Sequence, residues 1–169
     1  MTDKLKLNIA RLGPLIGLLL MIILLSIFTD NFLTVNNILN LFRQVSINAL
    51  IAFGMTFVIL TAGIDLSVGS MLALGSALTA GMLTSGMDPI LAMCLGLLLG
   101  LVMGAVNGMI VTKGKVAPFI ATLATMTIYR GATLVYTEGR PITGLSDSTA
   151  FQMVGKGYLW WIPVPVIIM

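Results

Sequence analysis

Histidine is absent from the 169 residues, and cysteine occurs once, as Cys94. The first absence removes histidine metal sites, Ser-His-Asp triads and imidazole proton relays together. The second removes any disulfide within the chain. Charge is also scarce. Lys and Arg number 9 and Asp and Glu 6, so charged residues make up 9% of the chain, where a soluble domain carries about 25%. So few charges cannot cover a surface that faces water. No Walker A pattern occurs, which leaves any ATP hydrolysis to another polypeptide, and no repeat with a period of about 20–50 residues is visible. An enzyme inside a membrane needs a nucleophile with its base, a metal site or paired carboxylates. Without histidine, and with a single carboxylate inside the long apolar runs, the sequence argues against catalysis and nominates no metal or other cofactor.

What the chain has instead is apolar length. It is 58% hydrophobic, and residues 12–29, 44–64, 66–87 and 89–112 carry no ionised side chain. Each run is close to the roughly 20 residues that cross a bilayer as a helix. A fifth run, 116–129, continues past Arg130 to Tyr136, and a sixth runs from Tyr158 to Met169. The expected fold is all-α, a polytopic transmembrane helical bundle. It has about five complete spans, at 12–29, 44–63, 67–86, 89–112 and 117–136, and a partial sixth at 158–169. The first run is not read as a signal peptide, because it is longer than an ordinary h-region and no A-x-A-like site follows. Pro14 is expected in the first turn of that span, where its missing amide costs little.

Basic residues orient the bundle. Lys4, Lys6 and Arg11 precede the first span and place the N-terminus in the cytoplasm. With alternating spans, the "TKGK" loop holding Lys113 and Lys115 also falls inside. Asp30, Arg43, Asp88, Glu138, Arg140, Asp147 and Lys156 fall outside. The segment 31–43 is too short to span and reads as an interfacial or re-entering approach to the second span, with Arg43 at the water boundary. Tyr158, Trp160 and Trp161 read as an aromatic interface belt opening a further helix.

Several spans carry polar or small faces. Gln44, Asn48, Ala52 and Thr56 recur every four residues and share one helix face, which serves either a pathway or hydrogen bonding between helices. In "GLLLGLVMGAVNG", Gly96, Gly100, Gly104 and Gly108 also recur every four residues. Such a stripe lets helices approach closely in lipid, and helix packing is the reading preferred over a glycine-lined pathway. Asn107 beside it is placed to hydrogen-bond across to a neighbour.

Asp65 lies in "LTAGIDLSVGS" and is the sole charge between Arg43 and Asp88. The local reading makes it a cap of the third helix, accepting amide hydrogens at the positive helix end. The functional reading makes it the lining of a polar cavity, since intramembrane carboxylates are candidate sites. Arg130 likewise either snorkels to the outer interface or pairs with a carboxylate inside the bundle. The candidate translocation pathway is therefore Gln44, Asn48, Thr56, Asp65 and Arg130.

The stretches "LTAGIDLSVGS" and "PFIATLATM" with a following "RG" resemble the permeases of bacterial ABC importers for monosaccharides, of the ribose type. The likeness runs from about Asn31 to Ile142, with the first helix similar in character only. It implies a bacterial inner-membrane protein acting with a second permease chain, cytoplasmic ATP-binding subunits and a periplasmic sugar-binding protein. ATP use in those subunits would switch the pathway between outward- and inward-facing states, and the chain itself would be no enzyme. Such permeases are about twice this length, so the chain is expected to be an N-terminal portion or fragment that does not support ATP-coupled transport alone. The alternatives are a permease for galactose, xylose or autoinducer-2, an ion-coupled secondary transporter using Asp65, and a structural membrane subunit.

Overall fold

The computed structural model describes residues 2–145 and 149–168. The side chains of Lys4, Lys6 and Arg11, together with Asp147 and Met169, lie outside the described residues. The elements in chain order are α1 (Thr2–Phe28), α2 (Val35–Leu60), α3 (Val68–Thr84), α4 (Pro89–Thr112), α5 (Pro118–Thr137), α6 (Thr149–Lys156), β1 (Tyr158–Leu159), β2 (Ile162–Pro163) and α7 (Val164–Ile168). They fall into two compact units, the first ending at Gln44 and the second starting at Val45.

In the first unit α1 runs unbroken from Thr2, so Pro14 lies in the helix interior rather than in its first turn. There the ring removes one backbone hydrogen bond and crowds the carbonyl four residues earlier. Thr34 starts α2. Its hydroxyl accepts from the Asn37 amide at 3.4 Å and donates to the Asn31 carbonyl at 2.8 Å. Residues 35–43 therefore belong to α2 and not to a separate approach segment. Arg43 sits within that helix, where its Nη1 donates to Asn40 Oδ1 at 2.9 Å.

The second unit is built on α3, which packs against both α4 and α5, while α4 also packs against α5. Asp88 caps α4, its Oδ1 accepting from the amides of Ile90 and Leu91 at 3.0 Å each, with Pro89 in the first helical position. Pro118 opens α5 in the same way, and Glu138 closes it in a left-handed conformation at φ 52°. Both prolines stand where a helix has no partner for an amide.

The interior of this unit is small and polar. Among the described residues the buried side chains include Ala92 and Ala121 with Ser67, Ser70, Asn107, Thr122 and Thr125. Leu, Ile, Val and Phe cover the outside along α3 to α5 and the part of α2 that belongs to this unit. An apolar surface this continuous is out of place in water, whereas lipid tails solvate it and leave small and hydroxyl residues to pack the helices. Among the described residues α2 and α4 are long and apolar enough to cross a membrane.

The C-terminal segment differs from the helix expected at Tyr158. Tyr158 pairs with Pro163 and Leu159 with Ile162 in a two-residue antiparallel hairpin, and Val164 N–H donates to Gly157 O at 2.9 Å. Aromatic and β-branched residues suit a strand, and Pro163 and Pro165, lacking amides, disfavour a helix started at Tyr158. Trp160 and Trp161 occupy the tip.

Candidate functional site

The buried polar side chains Ser67, Ser70, Asn107 and Thr122 gather at the junction between α2 and α3, residues 61–67. Two local features shape it. The chain leaves α2 through Ala62 at φ 57°, with Ala62 N–H on Ile59 O at 2.9 Å and Gly63 N–H on Val58 O at 3.0 Å. Gly63 is buried, and a Cβ there would press within 3.3 Å of both the Val58 carbonyl and side chain. A side chain there would oblige Val58 to give by a few tenths of an ångström.

Asp65 then turns back on the chain. Its Oδ1 accepts from the Ser67 amide at 2.7 Å and from the Ser67 hydroxyl at 2.6 Å. This is a side-chain turn of the kind Asp readily forms with the residue two positions on. Ser67 is the cap residue of α3 and makes no side-chain cap bond to that helix. Asp65 thus holds the amide of the cap residue rather than those of the helix itself.

Two other helices meet this turn, and α3 folds back on it. From α4, Asn107 Nδ2 donates to the Ser67 hydroxyl at 2.8 Å. From α5, the Thr122 hydroxyl lies 3.1 Å from the Ile64 carbonyl and 2.8 Å from its own Pro118 carbonyl. On α3, the Ser70 hydroxyl donates to the Ser67 carbonyl at 2.8 Å. Higher up, the Tyr129 hydroxyl reaches the Met103 carbonyl at 3.3 Å and joins α5 to α4. Ser67 is fully buried, Asn107 is 5% exposed and Thr122 3%. Asn107 Oδ1 is buried without a hydrogen-bond partner among the described residues.

Comparison with known proteins bears on a chain of this build. Residues 37–166 match the family described as "Branched-chain amino acid transport system / permease component". The chain belongs to this permease family. It is 66% identical over 159 residues to the ribose import permease protein RbsC of Bacillus subtilis (strain 168), a match covering 94% of this chain and 49% of that protein. Against the Haemophilus influenzae protein of the same name it is 53% identical over 156 residues, covering 91% and 48%. Against that of Escherichia coli (strain K12) it is 47% identical over 157 residues, covering 92% and 49%. The chain spans about half the length of the curated relatives it matches. No solved structure matches it.

In this permease chain the residues nominated from sequence are spread over several places. Gln44, Asn48 and Thr56 lie on an exposed face of α2, where the Thr56 hydroxyl donates to the Ala52 carbonyl at 2.8 Å. Arg130 is exposed on α5. Asp65 is half-buried in the junction, and none of the other four hydrogen-bonds to it.

The glycine stripe divides. A Cβ on Gly96 would strike the Thr79 hydroxyl of α3, whereas at Gly100, Gly104 and Gly108 nothing lies within 4 Å. A four-residue step turns a helix by about 400°, so each glycine sits about 40° further round. Gly96 shares the buried face of α4 with Ala92, Met103 and Asn107, and the later glycines wind off it.

Sequence reasoning missed Ser67 and Thr122 as members of the site. The one signal for Ser67 was its place two residues after an Asp, the spacing of a side-chain turn.

Proposed function

We propose that this chain supplies part of the translocation pathway of an ATP-driven ribose importer in the bacterial inner membrane. The observation that carries the proposal is 66% identity to a ribose import permease across 94% of the chain. The composition supports it: a helical chain with apolar exterior and small, hydroxyl-lined interior suits solute passage. In this reading cytoplasmic ATP-binding subunits drive the cycle, a periplasmic sugar-binding protein delivers the solute, and a second permease chain completes the pathway. Five helices, α1 to α5, cross the membrane, and the N-terminus is cytoplasmic. Gln44, Asn48 and Thr56 present a polar face along α2, Arg130 lies toward the outer end of α5, and Asp65 offers an acceptor at the junction. These residues give sugar hydroxyls weak, exchangeable partners, since tight holding slows release. Gly96 serves helix packing against α3.

A chimera tests this directly. Residues 1–169 replace the matching part of the Bacillus subtilis ribose permease in cells lacking that permease. Uptake of radiolabelled ribose is then measured. Restored, ATP-dependent uptake is expected. A chimera that reaches the membrane in normal amount yet takes up no ribose would overturn the proposal.

A further inference from the structure

We infer that Asn107 is a positioning residue for Asp65: it fastens the 61–67 junction to α4 through the Ser67 hydroxyl and so fixes which carboxylate oxygen the junction presents. A hydroxyl has one hydrogen to give and lone pairs to accept with. Ser67 gives its hydrogen to Asp65 Oδ1 at 2.6 Å, the stronger, charge-assisted choice, and takes the Asn107 amide at 2.8 Å. With the Ser67 amide also on Oδ1 at 2.7 Å, that oxygen is occupied twice, while Oδ2 takes no hydrogen bond from the described residues. The relay Asn107 to Ser67 to Asp65 therefore sets the orientation of the carboxylate from a helix 40 residues away in sequence.

Two further observations single out Asn107. The competing tie from α5 is weaker, because the Thr122 hydroxyl has one proton to give and its oxygen lies closer to Pro118 O, at 2.8 Å, than to Ile64 O, at 3.1 Å. And Asn107 is a poor choice for packing alone. Its Oδ1 is buried without a partner, a penalty that leucine in the same place would not carry. The amide donor is what α4 gains from asparagine. The role of Oδ2 as an acceptor for a passing solute hydroxyl rests on the permease reading; the fastening itself does not.

The test uses the full 169-residue chain in lipid nanodiscs, with Cys94→Ser as background. Ser70→Cys places a reporter thiol beside the junction at a position 8% exposed, and Ala92→Cys places a second, fully buried, near the other end of α4. Maleimide labelling rates report opening at each. Asn107→Leu is expected to speed labelling at Ser70→Cys by about tenfold, the factor that one lost hydrogen bond of ordinary strength implies. The rate at Ala92→Cys stays unchanged. Adding Ser67→Ala to Asn107→Leu should give little beyond either change alone, because both cut the same relay.

Asn107→Asp separates fastening from space-filling. Titratable groups near it among the described residues include Asp65 in the junction and Tyr129 on α5, whose hydroxyl donates to Met103, four residues before Asn107. As a carboxylate the new side chain cannot donate and repels Asp65; once protonated it donates again. Labelling at Ser70→Cys, normalised at each pH to the same reporter with Asn107, is expected to be fast while the new carboxyl is ionised and to slow as acidification protonates it. Unchanged labelling in Asn107→Leu, an equal rise at both reporters, or no slowing of Asn107→Asp on acidification would each overturn the inference.

Discussion

Asp65 illustrates how a charge is housed in an apolar chain: one of its oxygens, Oδ1, is held locally by the amide and hydroxyl of Ser67. Removing the hydroxyl has a wider effect than removing the charge. Ser67→Ala strips Asp65 of one donor and leaves Asn107, 5% exposed, with nothing for its amide to bond. A loss of about 1–3 kcal/mol is expected, the cost of an unsatisfied buried polar group, measured as a shift in the detergent-unfolding midpoint of the purified chain. Asp65→Asn keeps an oxygen for the Ser67 amide and forfeits only charge assistance, so about 0.5–1.5 kcal/mol is expected in the same measurement. A larger loss in Asp65→Asn than in Ser67→Ala would contradict the relay. Asp65 was legible in the sequence because it breaks a long charge-free run. Its dependence on Asn107 was not, because a bond between residues 40 apart leaves no local pattern.

Helices differ in how far periodicity reports their surroundings. The glycine stripe of α4 is a regular pattern, yet only Gly96 meets a neighbour, at Thr79. Gly96→Ala is therefore expected to destabilise the α3–α4 contact by about 1–3 kcal/mol, as overpacking does. Gly104→Ala, facing open space, is expected to be neutral or to gain up to about 1 kcal/mol from helix propensity. Thermal melts of the two variants in detergent, followed by circular dichroism, check the contrast; equal effects would deny it. In α1, Pro14 lies inside a helix of 27 residues, so Pro14→Ala is expected to raise the thermal stability of that helix, monitored by backbone amide exchange. The spacing of Pro14 from the first apolar residue suggested a helix start. The polar residues before it are helical as well, and apolar periodicity does not register them.

At the scale of the molecule, the inside-out distribution of side chains in the second unit is the property that matters. Serine, threonine and asparagine are buried while leucine and isoleucine face outward, the arrangement that lipid rather than water selects. The proposed topology makes a direct prediction. With Cys94→Ser as background, Lys115→Cys should react with a membrane-impermeant thiol reagent only after the membrane is opened. Arg140→Cys should react in intact cells from which the outer barrier has been removed. Labelling of both from the same side would refute the alternating arrangement. The basis is the bias of Lys and Arg toward cytoplasmic loops, here Lys113 and Lys115 after α4.

By itself the sequence determined the environment, the helical class and the family likeness. Charge scarcity, apolar run length and the stretches "LTAGIDLSVGS" and "PFIATLATM" are all written in consecutive residues. Two things came only from tertiary structure. One is that "YLWWIP" turns as a hairpin rather than opening a helix, which depends on pairing across the turn. The other is that Ser67 and Asn107 hold Asp65, which depends on how α4 is rotated against the junction. Periodicity records which residues share a helix face. Which face meets which neighbour is set by the packing of several helices at once, and that information is carried by no single stretch of the chain.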